Sequence, residues 1–559
     1  MTEMIPNSPI AVQKSVRSAK GRVLTSGDAG KILPLKYEWL HREDGVRSGK
    51  IRANIEMMET SEMLMNGVGV TLYAHFVPML AFDRFNGSMD ELNRSYKKEN
   101  GAAGSVIPFF EKNKYYRAYN DTVFEAQSSN GLNPQGFDTV SSEHGVKEFY
   151  QTLGIHTQAT NINTTPVEAY NAIINHRRKA RSKSLPLRNA FDHTLADAFW
   201  INNGMQNIVP DYDQNLIDGQ VTLAGLTFQA PIKAPRTTRY NLQRTADGDA
   251  GHAFDSGAWS PAMTGTDIID EGDMFLFDEI YAELTTGGNA TMSLADIEQA
   301  RKTAAFAKLR AKYDGIDDEH VIDLLMSGIR VPEEALKQPI LLGRQRAMIG
   351  FNQRYATDGA NLDKSATNGM ATIDMSFRTP AMNTGGVIMI TAEIVPEQLW
   401  ERKKDYFLYT TDPDTLPNYL SDFLDPEKTD VVKNDHADVN HATPDGTFGY
   451  APLNHMWMRD AVNVGGKYYR PANDAYDEDR AKIWTAEATN PTLNEDFYLC
   501  SGLHKKVFAD QVSDSFEITC LTDMQIVGNT VFGAVLQETD ATSDYDTITS
   551  QVDSSRIVK

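Results

Sequence analysis

From Lys50 onward, apolar and polar positions alternate with a period of two. Ile51, Ala53, Ile55 and Met57 fall on one face and Arg52, Asn54 and Glu56 on the other, as in a strand buried on one side. A second run sets Val68, Val70, Leu72, Ala74 and Phe76 against Gly69, Thr71, Tyr73 and His75. It ends at Val77-Pro78, where proline removes a donor from the ladder. Far along the chain, Val387–Ile394 is a β-branched, apolar run that also closes on Val-Pro, at Val395-Pro396. Phe516–Thr522 follows near the C-terminus, with 525–536 behind it. Strong strands therefore bracket a long polar middle, which predicts a mainly β chain: a sandwich with large insertions and some α-helix within them.

Helical spacing is clearest in that middle. Leu294, Ile297, Ala300, Ala304 and Ala307 form an apolar stripe, and Ser293 with Asp296 makes a capping-box-like start. Lys302, Lys308, Arg310 and Lys312 crowd its later turns, where cations favour the helix dipole. A shorter helix is predicted from Glu319 to Met326, stopping near Gly328. Three stretches rich in Asn, Asp, Gly and Pro, about 100–165, 201–285 and 401–490, read as insertions. Loops of that length are foreign to a compact enzyme, but a shell subunit can use them for contacts between copies. The expected organisation is a flexible basic arm over 1–34, a folded domain with these insertions over 35–540, and a tail over 541–559.

Charge changes this picture. The 559 residues carry a formal net charge of -22, so the chain as a whole repels polyanions. A nucleic-acid role would need local basic segments, and two exist. Met4–Gly27 is free of acid and holds Lys14, Arg17, Lys20 and Arg22. The run His176–Arg188 is also free of acid and holds His176, Arg177, Arg178, Lys179, Arg181 and Lys183, with Tyr170 upstream. Such residues can neutralise phosphates, and an aromatic ring can stack on bases. A solvated face or a salt-bridge patch between subunits accounts for the second run equally well.

Other chemistry is sparse. No GxxxxGK[ST], GxSxG, HExxH or CxxC pattern occurs, and Gly67-Val68-Gly69 leads into a strand without a third glycine. Asp211 with Asp213, and Asp247 with Asp249, read as solvated loop acids, and His252, His436 and His441 as surface or hydrogen-bonded histidines. No catalytic residue, metal ligand or cofactor is assigned. Cys500 and Cys520 are too few for a disulfide framework and are expected to be buried thiols, which fits cytosolic assembly. No run of about 18 apolar residues is present for a membrane span, and the N-terminus lacks the apolar stretch of a secretory signal.

Several blocks, taken in order, resemble the major capsid proteins of the microviruses, the small icosahedral single-stranded-DNA phages. Val68–Phe76 leading into Val77-Pro78 resembles that family's strand ending in aromatic-Val-Pro, and Val167–Asn175 is similar to its Tyr-Asn-x-Ile helix. Ser293–Gly328 is similar to its central helices. Pro339–Gly343, Gly385–Leu399, Phe448-Gly449-Tyr450 and Tyr468–Pro471 resemble its Pro-x-x-Leu-Gly, Gly-strand, Phe-Gly-Tyr and Tyr-Arg-x-Pro blocks. The blocks span roughly 35–540, and their shared order carries the resemblance. Ala381-Met382-Asn383-Thr384 departs from the Glu-His-Gly stretch of many relatives.

The resemblance implies a single jelly-roll subunit with no catalytic site, sixty copies of which close a T=1 shell around circular single-stranded DNA. Its place would be the virion, assembled in the cytoplasm of a bacterial host, with no membrane insertion. Its partners would be other copies of itself, the genome and a host cell-surface receptor, with room for minor capsid, DNA-binding, pilot or scaffolding proteins. In some relatives an insertion forms a threefold protrusion, and 201–285 is the segment matched to it here. The competing reading is a β-sandwich glycosidase or carbohydrate-binding protein. It would need two facing carboxylates and an aromatic groove, and the six scattered tryptophans argue against it.

Overall fold

A computed structural model describes residues 12–60, 62–101, 104–110, 112–113, 148–155, 162–201, 205, 207–211, 302, 310, 313, 319–329, 331–355, 365–424, 428–457, 462–469, 482–486 and 489–533. The chain divides into two compact units, Met1–Asp213 with Asp323–Lys559, and Gln214–Ile322. Of the second, only 302, 310, 313 and 319–322 are described.

Among the described residues the strands run in the order β1 (Ser15–Gly27), β2 (Ile32–Leu40), β3 (Gly45–Thr60), β4 (Val68–Pro78), β5 (Lys112–Asn113), β6 (Ile162–Asn163), β7 (Ile340–Met348), β8 (Gly350–Tyr355), β9 (Ser365–Phe377), β10 (Gly386–Pro396), β11 (Thr429–Lys433), β12 (Thr447–Pro452) and β13 (Phe516–Gly528). Two antiparallel sheets dominate: five strands in the order β1-β13-β3-β9-β8, and four in the order β2-β10-β4-β7. The pairing is nested. β1 lies against β13, β2 against β10, β3 against β9 and β4 against β7, so the outermost strands in sequence pair with each other and each inner pair does the same. β8 adds an edge strand through its hairpin with β9.

One apolar cluster joins the inward faces of both sheets. Ile55 on β3 and Ile518 on β13 belong to it together with Leu72 and Phe76 on β4 and Ile388 and Ile390 on β10. Full burial of such a side chain contributes about 1.5–3 kcal/mol. Their common cluster therefore makes the two sheets the layers of a β-sandwich. Gly385 and Gly386 admit β10 to this stack. Gly385 takes φ 64, and a Cβ on Gly386 would lie 2.3 Å from the Val77 carbonyl oxygen, so neither position tolerates a side chain.

The four-stranded sheet is covered on its second face as well. There α1 (Met89–Lys97), α2 (Glu148–Thr152) and α3 (Thr165–Arg181) bring Leu92, Phe149, Tyr170, Ile173 and Ile174 onto Val77, Val387 and Met389. α3 starts with Pro166 in its first turn, where the missing N–H costs nothing. The Thr164 hydroxyl hydrogen-bonds the Glu168 carboxylate at 2.5 Å, and Arg84 pairs with that carboxylate from across the cluster. Burial on two faces explains why β4 and β10 read as nearly continuous apolar runs. The five-stranded sheet keeps a solvent face, so β13 alternates buried and accessible positions along its length.

The strands expected from Lys50, Val68, Val387 and Phe516 are β3, β4, β10 and β13, and the Glu319–Met326 helix is present. Residues 516–528 form one strand where two successive runs, 516–522 and 525–536, were expected. The expected arm over 1–34 needs correction. Ser15–Gly27 is β1, paired with β13 along its whole length, and Ile32–Leu40 is β2. Of its inward positions, Ser15, Arg17, Ala19, Gly21, Val23 and Thr25, only Val23 is a large apolar residue, so apolar periodicity does not mark this strand. Residues 1–11, the helix expected from Ser293 apart from 302 and 310, most of 201–285 and the tail 541–559 lie outside the described residues. Cys500 and Cys520 are free and buried, and burial raises both thiol pKa values, that of Cys520 to about 12. Among the described residues no helix is long and apolar enough to cross a membrane.

Candidate nucleic-acid interface

The ten basic candidates separate into groups with different surroundings. The run from His176 to Lys183 is the last turn and a half of α3 and its exit, where cations offset the partial negative charge of the helix end. Arg177 points into the protein. It pairs in a two-pronged fashion with Glu393 of β10, the second contact being Nη2 to Oε2 at 3.1 Å. Its guanidinium also lies over the rings of Tyr73, at 4.5 Å, and Phe199, at 4.9 Å. Burial works against the charge, and the Glu393 carboxylate outweighs it, so the Arg177 pKa is raised. Arg178 is buried, donates to the Pro186 carbonyl at 2.6 Å and lies 3.6 Å from the Glu495 carboxylate. Arg181 lies 5.2 Å from the centre of the Tyr498 ring. His176 is half-buried, and burial followed by Lys179 lowers its pKa. Lys179 and Lys183 are exposed.

This environment corrects one expectation. Tyr170 cannot stack on a base, because it is fully buried. Its hydroxyl donates to the Ile32 carbonyl at 2.7 Å and accepts from the Ala196 N–H at 3.0 Å. On β4, His75, stacked on Tyr73, is held neutral. Burial first, then Arg177 and His176, lowers the His75 pKa to about 3. The loop after α3 is bound to the helix too: Asn175 donates to the Arg188 carbonyl at 2.8 Å, and Asn171 accepts from Arg188 Nε at 3.0 Å. Much of the basic run is thus structural: Arg177, Arg178 and Arg188 hold α3 to the sheet and to its own exit loop.

The N-terminal candidates divide by the alternation of β1. Arg17 turns inward and donates to Glu38, to the Trp39 carbonyl and to the buried Asp44. Lys20 and Arg22 turn outward and are exposed, as is Lys14 just before the strand. The register across the sheet then sets Lys20, Asp523, Lys50 and Ser376 in one row. Arg22, Leu521, Arg52 and Asp374 form the next. Neighbouring rows are about 6.7 Å apart and neighbouring strands about 4.8 Å. These side chains line a shallow, open depression of about 730 Å³ on the outer face of the sheet.

Four cations and two carboxylates share this patch. Lys20 Nζ is 4.0 Å from Asp523 Oδ2, and Arg52 Nε is 3.4 Å from Asp374 Oδ1, both pairs being well exposed. Pairs of this kind contribute about 0–1 kcal/mol and rearrange readily. The side chains of Arg22 and Lys50 have no ion pair or hydrogen bond among the described residues. The paired residues of the next rows are uncharged, Ser18, Gln525 and Ser48 on one side and Leu24, Thr519, Asn54 and Thr372 on the other, with the exposed Arg47 and Arg378 at the edge beyond Ser48. Lys50 and Arg52 are absent from the sequence-based candidates, although the alternation that marked β3 as a strand also put both on its polar face. What could not be read was that β13 would bring them beside Lys20 and Arg22, some thirty residues earlier in the chain.

Among the described residues no cluster of three or more His, Cys, Asp or Glu side chains is arranged to hold a metal ion. No protein-family model and no curated protein matches the chain.

Proposed function

We propose that this chain is a microvirus-like major capsid protein: a jelly-roll subunit, sixty copies of which close a T=1 icosahedral shell around a circular single-stranded-DNA genome. The nested pairing of β1 with β13, β2 with β10, β3 with β9 and β4 with β7 carries this reading. Folding a long hairpin over on itself into two facing sheets produces that order, and it is the order of the double-sheet jelly rolls used by viral shells. The blocks behind the family resemblance fall on elements of this frame. The aromatic-Val-Pro block closes β4, the Gly-strand block is β10, Pro339–Gly343 opens β7, the Tyr-Asn-x-Ile block is α3, and Phe-Gly-Tyr lies in β12.

Lectins and other carbohydrate-binding proteins use related sandwiches, so the surface has to separate the two readings. Phe407, Tyr419, Leu420 and Tyr469 are each more than half exposed, in segments outside the two main sheets. Large apolar side chains exposed in this way suit contact with neighbouring copies. The protein acts in the virion and is assembled in the bacterial cytoplasm. Its partners are its own copies, the genome, a receptor on the host surface, and minor capsid, DNA-binding, pilot or scaffolding proteins. It carries out no reaction. Size-exclusion chromatography with negative-stain microscopy tests this directly. Sixty chains of 62.2 kDa form a closed particle of about 3.7 MDa. A protein that elutes as a single chain in every assembly buffer, and hydrolyses or retains a glycan, would be the sandwich enzyme or lectin instead.

A further inference from the structure

We infer that the outer face of the five-stranded sheet is a docking surface for the phosphate backbone of single-stranded nucleic acid, held by Lys20, Arg22, Lys50 and Arg52. The identity of the polyanion as the packaged genome rests on the shell proposal. The surface itself rests on the register of β1, β13 and β3, which sets these four cations in two adjacent rows.

Charge complementarity selects the occupant. The chain carries -22 overall, yet this patch has four cations against the two carboxylates of Asp374 and Asp523. A local positive field in an acidic protein attracts a polyanion and little else. The separation of the rows, two residues along a strand, is comparable to that of successive phosphates on one nucleic-acid strand. The short Ser376 keeps the floor low beside the long side chains, so a backbone can lie across the strands. No aromatic ring lines the depression, so base stacking is not available, and the surface reads charge without sequence. Exposure fits as well. The four-stranded sheet has both faces covered, whereas this sheet has a solvent face, and in a closed shell a cationic face is favoured on the side that meets the genome.

Asp523 and Asp374 are part of the device. Each shares a row with the cations, and phosphate must compete with it for Lys20 and Arg52. Binding at this surface is therefore expected to be weak per copy, strongly salt-dependent and reversible, as suits a genome held by many equivalent subunits.

Binding of fluorescent oligothymidylate to the purified full-length protein, titrated over salt, tests the surface. Four neutralised phosphates give a slope of log K against log salt of about -2.8, which is about a 50-fold loss between roughly 50 and 200 mM. Lys20→Ser, Arg22→Ser, Lys50→Ser and Arg52→Ser together should reduce the slope by that amount. Asp374→Asn with Asp523→Asn should tighten binding several-fold, and Lys179→Ser with Lys183→Ser should leave the slope unchanged. Oligouridylate should bind like oligothymidylate. Micrographs of the same preparations report shell formation independently. If wild type forms no shells yet the fourfold change removes the salt slope, the surface stands and the shell proposal falls. If shells form and the fourfold variant keeps both its salt slope and its DNA content, the surface is wrong and the shell proposal stands. A loss of slope in the Lys179/Lys183 variant would move binding to the end of α3 and overturn the inference. Should the fourfold variant fail to fold, the carboxamide pair decides, because no tightening on removal of both carboxylates contradicts a phosphate surface.

Discussion

β10 and β13 are both interior strands, one in each sheet, and they are built by opposite rules. β10 is buried at all eleven positions, including the polar Thr391 and the acidic Glu393, because a shared core lies on one side and α3 on the other. β13 buries Phe516, Ile518, Cys520, Met524 and Ile526 and turns Glu517, Leu521 and Gln525 to solvent. In a strand covered twice, a charged residue survives only with a partner, and Glu393 has Arg177. In a strand covered once, charges on the free face cost little and can serve an outside ligand. A charged side chain therefore means structure on a covered face and can mean an interaction surface on a free one.

The sharpest way to break this contrast is to remove one partner on the covered sheet. Glu393→Ala should destabilise the protein by roughly 3–5 kcal/mol, since it leaves the Arg177 guanidinium buried without its carboxylate. Glu517→Ala on the open face of β13 should stay within about 0.5 kcal/mol. Urea unfolding measures both, and equal effects would end the distinction. Ile390→Ala and Ile518→Ala approach the shared core from the two sheets, and each should cost about 2–4 kcal/mol. A marked inequality between them would mean that the sheets do not share one core.

Acid should act on the covered sheet first. The folded His75 pKa, at about 3, is far below the ordinary value of 6.5. Between these values the unfolded chain binds the proton and the folded one does not. The contribution of His75 is thus complete above about pH 6.5 and declines as pH falls toward 3, with about 2 kcal/mol lost by pH 5. Stability measured against pH should show this limb in wild type and a flatter one in His75→Gln. An unchanged limb would locate the acid sensitivity elsewhere, His193 being the next buried histidine with a depressed pKa. The smallest effect is expected on the open sheet: Lys50→Ala and Arg52→Ala should each change stability by less than about 0.5 kcal/mol.

Legibility in the sequence followed the same contrast. β3 and β13 announce themselves by alternation, and β4 and β10 by continuous apolar runs ending in Val-Pro. β1 escaped because its inward face is small or polar except at Val23, while Val16 and Leu24 point outward, against the usual code. β9 carries a readable alternation, with Ile373, Met375 and Phe377 set against Thr372, Asp374 and Ser376, but it is embedded in a polar stretch. The basic run of α3 was legible as charge but not as burial, since a one-dimensional pattern cannot show that Glu393, more than two hundred residues later, takes up Arg177. The Lys20/Arg22/Lys50/Arg52 patch was half legible. Both strand segments could be found, but their adjacency depends on β13 pairing with β1 and β3 at once.

A cryo-electron microscopy reconstruction of purified particles, prepared with and without packaged DNA, tests the central claim most directly. A closed icosahedral shell is expected, with one copy of the sandwich per asymmetric unit and the outer face of the β1-β13-β3-β9-β8 sheet turned to the lumen against nucleic-acid density. Solitary 62.2 kDa molecules under every assembly condition, or a shell in which that sheet faces away from the genome, would contradict it.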